Sequence, residues 1–299
     1  EKFSNTECRV EVLENIRSNN VFIFQTGSFS QQGTVNDHLM ELLILIDAAR
    51  RSHAASITVV MPCYPYGRQD KKDRPRAPLS GRLVANLLET AGATRLMLMD
   101  LHAAQIQGFF NIPVDNLHAI NVMIDPLRSL GVQHNPQYVM CSPHTSGARR
   151  CFSTAKKLGI RAFLMDTQKD KVTGQRVTEF LADPSEVQGK RCILLDDLAD
   201  SLGTAIGAIN ELGQCGAKEV ILVVTHGIFS GPAIDRVNGC ALLTKVFVSN
   251  SLPQELNARS CPKLEVVDVS ELLARAVRCM QTGRGFGALF HGSHRLRTS

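Results

Sequence analysis

The sequence predicts an α/β fold in two domains, each a mainly parallel sheet flanked by helices. Three observations predict it. Short apolar runs alternate with amphipathic segments along the chain, the order expected of parallel strands joined by helical crossovers. The alternation occurs as two series, separated near residues 117–137. Apolar runs also end in Asp or Ser, as at Leu195-Asp196, Met99-Asp100 and Cys141-Ser142. Ligands of open α/β sheets bind beyond such strand ends. With 299 residues, 44% of them hydrophobic, the chain has apolar material for two cores. No internal repeat is strong enough to prove duplication.

The elements follow from local pattern. Val21–Gln25 reads as a buried strand, and Thr26–Thr34 as a polar loop. Asn36–Arg51 has helical periodicity, with Asn36 a suitable N-cap. Ser56–Met61 is a strand, Pro62–Pro78 a charged, proline-rich loop, Leu79–Ala91 a helix, and Leu96–Met99 a strand. The second series runs through a strand at Tyr138–Cys141, a helix at Gly147–Leu158 and a strand at Ala162–Met165. Asp166–Gly189 is polar and interrupted. Then come a strand at Cys192–Leu195, a helix at Thr204–Gln214, and strands at Val220–Thr225, Val246–Ser249 and Leu264–Val267. Ser270–Met280 closes the series as a helix capped by Ser270.

Composition narrows the function. The net charge of +5 is mild, and there is no Trp and only three Tyr. A base-stacking platform for single-stranded nucleic acid is not expected, and neither is a membrane span. Nine scattered cysteines without a C-x-x-C pair read as reduced thiols of a cytoplasmic protein.

Asp196 to Thr204 (DDLADSLGT) carries the clearest chemistry. Ionised carboxylates only accept hydrogen bonds, which suits vicinal sugar hydroxyls. The loop N–H groups and the following helix N-terminus suit a phosphate. Together they describe a site for a phosphorylated pentose. Asp100 and His102 follow a strand and read either as contacts to a magnesium ion on phosphate oxygens or as a capping Asp beside a structural His. Arg68 to Arg76 packs five cations into nine residues. It reads as a loop over a polyphosphate, or as a solvated surface. Ser142 to Arg150 is a second strand-loop-helix junction, either an anion cradle or an ordinary capped turn. His226, in Thr225 to Pro232, is equally a satisfied loop histidine or a ligand contact.

These residues occur in one order together with Phe3-Ser4-Asn5-Thr6-Glu7, Tyr64 to Lys72, Gln105 to Phe110 and Pro113 to Leu117. In that order the chain resembles the ribose-phosphate pyrophosphokinase (phosphoribosyl pyrophosphate synthetase) family from residue 1 to about 292. The resemblance implies two phosphoribosyltransferase-like domains. Residues 1–118 would carry the ATP elements and 119–274 the ribose 5-phosphate loop, with about 275–292 returning to the first domain. It implies a further strand ahead of Glu1. It also implies transfer of the β,γ-diphosphoryl group of Mg-ATP to ribose 5-phosphate, with Mg2+ as cofactor. The assembly would be a homo-oligomer, often a hexamer, or a hetero-oligomer with other synthetase subunits. By the resemblance Phe3, Asn5 and Glu7 hold adenine across a subunit boundary. Arg68, Gln69, Asp70, Lys71, Lys72 and Asp73 serve ATP. Asp100, His102 and Asp115 serve the metal, with His102 also catalytic. Asp196 and Asp197 meet the ribose hydroxyls, and Asp200, Ser201, Leu202, Gly203 and Thr204 the 5-phosphate. His144, Thr145, Ser146 and Gly147 form the pyrophosphate loop. Phosphoribosyltransferases share the acid-acid-loop-helix site but not the ATP elements.

The chain departs from the family pattern at positions that matter. His144 stands where the family has an Asp, and Ser146 where it has a Gly, which restricts φ and crowds the phosphate. Thr167 stands where the family has a catalytic Lys, leaving Lys169 as the nearest cation. Losing such a contact costs a factor of about a hundred or more in rate. Leu202 replaces a small residue, so its side chain must point away from the phosphate. Asn111 replaces an Asp, and the loop from Ser28 to Thr34 is longer than usual. A second reading follows: a catalytically impaired homologue that regulates a synthetase complex.

Overall fold

The computed structural model describes residues 3–72, 74–169, 176–287 and 289. The chain divides into two compact units, Glu1–His118 and Ala119–Ser299.

The first unit holds a four-stranded sheet in the order β1-β2-β3-β4, parallel throughout: β1 (Asn20–Phe24), β2 (Ser56–Met61), β3 (Arg95–Met99) and β4 (Val114–Leu117). Helix α1 (Val35–Arg51) connects β1 to β2, and α2 (Ser80–Ala91) lies between β2 and β3. The cap of α1 is Thr34 rather than Asn36. Its hydroxyl accepts the Asp37 N–H, and the Asp37 carboxylate accepts the Thr34 N–H at 2.8 Å, a reciprocal box that outcompetes a single Asn cap. Leu42, Ile46, Val59, Leu88, Leu96 and Leu98 centre the core.

The second unit opens with α3 (Ile120–Ser129), which the sequence pattern does not reveal because Pro126 interrupts a ten-residue helix. Its seven-stranded sheet has the order β11-β10-β9-β8-β5-β6-β7. The strands are β5 (Tyr138–Ser142), β6 (Arg161–Lys169), β7 (Arg176–Phe180), β8 (Arg191–Ala199), β9 (Glu219–Gly227), β10 (Leu243–Ser249) and β11 (Leu264–Val267). All neighbours are parallel except β6 and β7. The helices are α4 (Ala148–Leu158), α5 (Gly203–Gln214), α6 (Ala233–Gly239), α7 (Glu255–Ser260) and α8 (Ser270–Thr282). Cys192–Leu195 and Val220–Val224 are fully buried, as continuous apolar strands covered on both faces must be.

The structure adds to or differs from the sequence expectation at several elements. The polar stretch after Met165 is a hairpin: β6 runs on to Lys169 and pairs antiparallel with β7. Thr178 and Phe180 are the more buried side of β7 and Val177 and Glu179 its exposed side, an alternation too short to stand out. Strand β8 does not stop at Leu195. A backbone ladder continues Asp196↔Val224, Leu198↔His226 and Ala199↔Gly227, because hydrogen-bonded pairing depends on the neighbouring strand and not on apolar side chains. Ser270 is the first residue of α8 rather than its cap. The cap acceptor is the Asp268 carboxylate, which takes the Ser270 N–H at 2.9 Å and hydroxyl at 2.8 Å. The described residues beyond 275 group with the second unit, where the Asn121 side chain donates to the Leu289 carbonyl at 2.7 Å.

Candidate functional site

In the second unit, the end of β8 brings two carboxyls together inside the strand. The Asp197 N–H donates to Asp196 Oδ1 at 2.9 Å. Burial, above all, holds Asp196 above the usual carboxylate range, helped by the neighbouring Asp197 charge. Arg150, from the first turn of α4, donates through Nη1 to Asp197 Oδ1 at 3.1 Å and draws Asp196 in the opposite, weaker sense. Arg150 belongs to the second strand-loop-helix junction, yet nothing in the sequence pairs it with an acid 47 residues away.

Residues 200–202 span the gap from β8 to α5. The Ser230 hydroxyl donates to the Asp200 carboxylate, and the Arg236 guanidinium to the Ser201 carbonyl. Leu202 takes a left-handed conformation (φ 62°, ψ 7°) and is only 5% exposed, its side chain packed into the core. The side chain thus points away from the loop. The first N–H groups of α5 face outward from the helix start, as every helix N-terminus requires, and carry the positive end of its dipole.

The loop after β5 is a tight turn. The Ser142 hydroxyl donates to the His144 carbonyl at 2.8 Å, and the Gly147 N–H to the same carbonyl at 3.1 Å. A Cβ on Gly147 would lie 2.3 Å from Ser142 Oγ, so this glycine is required. Ser146 is not among the residues of positive φ; serine fits that backbone without strain, and the expected restriction is not felt there. Thr145 and Ser146 are exposed and His144 half-buried.

Thr167 lies within β6, not beyond it. Its hydroxyl donates to the Pro143 carbonyl at 3.0 Å and meets the Thr178 hydroxyl at 3.0 Å. Lys169 ends the strand, and its side chain lies outside the described residues. His226 is buried, with Nδ1 2.9 Å from the Ser251 hydroxyl, which is the satisfied-histidine arrangement.

In the first unit, Phe3 to Glu7 forms an exposed turn closed by Phe3 N–H to Glu7 O at 2.8 Å and Glu7 N–H to Asn5 Oδ1 at 3.2 Å. Arg68, Gln69, Lys71 and Lys72 are exposed. Asp70 is half-buried and accepts from Gln105 Nε2 at 2.9 Å; Asp73 lies outside the described residues. The base of this loop is anchored, with the Tyr64 hydroxyl donating to the Gly81 carbonyl at 2.8 Å and the Tyr66 hydroxyl to Asn36.

Asp100 directly follows β3 in a left-handed conformation (φ 39°), 3% exposed, with His118 Nδ1 3.0 Å from its Oδ1. His102 is exposed. Burial raises the Asp115 carboxyl on β4, while Arg95 lowers it. Among the described residues no three His, Cys, Asp or Glu gather into a metal-holding group, so Asp100, His102 and Asp115 are not brought together as one. Asn111 is tied to Glu89, which accepts its N–H and side-chain amide.

The mainly parallel sheet thus carries paired acids near the end of its central strand, followed by a three-residue turn into a helix N-terminus, an arrangement of acceptors and N–H groups beyond the strand end of an α/β protein. Family models match two stretches: the N-terminal domain of ribose phosphate pyrophosphokinase over residues 1–92, and the phosphoribosyl synthetase-associated domain over residues 177–291. Phosphoribosylpyrophosphate synthetase from Mycobacterium smegmatis is 38% identical, with a TM-score of 0.84 over 95% of this chain and 89% of that one. A purine phosphoribosyltransferase from Pyrococcus horikoshii is 20% identical over 36% of this chain and 77% of its own, with a TM-score of 0.30. The chain belongs to the ribose-phosphate pyrophosphokinase family.

Proposed function

We propose that this chain transfers the β,γ-diphosphoryl group of Mg-ATP to the C1 hydroxyl of ribose 5-phosphate, giving phosphoribosyl pyrophosphate and AMP. The observation that carries the reading is the acid pair at the end of β8 joined to the 200–204 turn, in a member of this family. Asp196 and Asp197 take the ribose hydroxyls, and residues 200–204 the 5-phosphate. The exposed turn of Phe3, Asn5 and Glu7 takes adenine within an oligomer. Arg68, Gln69, Lys71 and Lys72 close on the triphosphate.

In the reaction the C1 oxygen attacks the β-phosphorus, the bond from that phosphorus to the AMP oxygen breaks with its electron pair going to AMP, and the hydroxyl proton passes to solvent. Such transfer depends on alignment and charge neutralisation. Magnesium, when bound together with ATP, would supply neutralisation of the phosphate charge. The donor set fits this, since buried Asp100 and exposed His102 leave a hard cation to phosphate and water oxygens and do not build a protein cage. A coupled assay for AMP and phosphoribosyl pyrophosphate, with magnesium and inorganic phosphate present, tests the reading; absence of turnover by the intact chain sinks it.

A second reading has one observation in its favour. Thr167 is committed to Pro143 and Thr178, so the family's cation is replaced by an internal tie. A chain that binds ribose 5-phosphate without transferring to it would serve as a regulatory subunit of a synthetase complex. That reading expects co-purification with an active synthetase and a gain of turnover in Thr167→Lys combined with His144→Asp. Turnover by the unaltered chain removes it.

A further inference from the structure

We propose that Arg150 is a positioning residue for ribose 5-phosphate: it holds Asp197 as the ionised, oriented acceptor of the acid pair. The inference rests on the reading of residues 196–204 as the ribose 5-phosphate site.

The geometry is specific. Arg150 reaches Asp197 Oδ1 at 3.1 Å with both side chains largely buried, 21% and 9% exposed. The cation lies against Asp197, while Asp196 Oδ1 accepts the Asp197 N–H. Burial favours the neutral form of Asp196. The Asp197 charge is matched by Arg150, so a phosphate dianion can settle on residues 200–204 without facing an uncompensated carboxylate.

Arg150 also joins the two loops. It is the third residue of α4, which follows directly on the 142–147 turn, so the guanidinium ties the pyrophosphate loop to the acids of β8. Titratable groups on the neighbouring turns and strand include His144, Asp200, which is bonded to Ser230, and His226, which is bonded to Ser251.

The test is calorimetric titration of ribose 5-phosphate into the intact chain between pH 5.5 and 9, for wild type, Arg150→Gln and Arg150→Lys. Removing the cation raises the proton affinity of the pair. We expect Arg150→Gln to bind at least tenfold more weakly at pH 7, with its affinity profile displaced toward higher pH. Arg150→Lys should recover most of both. A His144→Gln control identifies any imidazole contribution to the profile. Equal affinity in Arg150→Gln, or weaker binding with an unmoved profile, overturns the proposal. Carboxyl-carbon NMR of Asp196 and Asp197 without ligand gives a second, independent readout. Their titration must move to higher pH in Arg150→Gln, and an unchanged titration overturns the coupling. If wild type does not bind ribose 5-phosphate at all, the reading of the site fails, while the NMR titration still tests the coupling on its own.

Discussion

Leu202 is a leucine in a backbone region that disfavours side chains, held there by a fully packed side chain. Two opposing effects decide what a glycine would do. The left-handed conformation costs an L residue about 1–2 kcal/mol, whereas losing a buried leucine costs about 2–5 kcal/mol. Burial wins, so Leu202→Gly should lower stability by about 1–3 kcal/mol, read as a lower midpoint in urea with an unchanged slope. Asp196 makes a pH prediction. Its folded value is raised, mainly by burial, so the folded chain keeps a proton that the unfolded chain releases near the ordinary Asp value. The group's contribution to stability is therefore present in acid and lost as pH rises from about 4 through the raised value. Asp196→Asn should remove that loss, giving a ligand-free protein more stable than wild type at pH 8 and little changed at pH 4. Thermal melts across that range check it. At this scale the sequence was informative about chemistry and silent about partners. The acids 196 and 197, the turn 200–204 and the neutrality of Thr167 are readable directly. The bonds from Thr167 to Pro143 and Thr178 are not, because one partner is 24 residues away and the other lies on an unrecognised strand.

Among the elements, those with apolar runs were legible and those defined by pairing were not. Strands β2 and β11 match the expected bounds, and α1, α2 and α5 begin within a residue of them. Strand β7 and the far half of β6 are specified mainly by each other, which local pattern cannot see. Caps were legible by type but not by position, as Thr34 and Asp268 show. Asp268 accepts from Ser270 and also from Asn250 Nδ2 at 2.7 Å, and these bonds hold its carboxyl below the usual range. A lowered acid contributes stability above its unfolded value and loses it as pH falls through the folded one. Asp268→Ala should therefore cost about 1 kcal/mol at pH 7. The difference from wild type should vanish toward pH 2, as chemical denaturation at both pH values would show.

For the whole molecule, the division at His118 and the separate cores give each unit the means to fold alone. A fragment of residues 119–299 is expected to unfold cooperatively and to keep its ribose 5-phosphate affinity within about threefold of the intact chain, measured by scanning and titration calorimetry. The two-part organisation was legible in the doubled strand-helix series. The contact of Asn121 with Leu289 was not, since the two lie far apart in the chain. The ladder between β8 and β9, which runs past the acid pair to Ala199↔Gly227, has a thermodynamic consequence. Because the backbone beneath the acids is fastened before any ligand arrives, little chain remains to be ordered on binding. Ribose 5-phosphate should therefore bind to the second unit with a small heat-capacity change and a slight entropic penalty, unlike segments that fold around their ligands. A large negative heat-capacity change measured across 10–35 °C would show instead that the loops assemble only when the sugar is present.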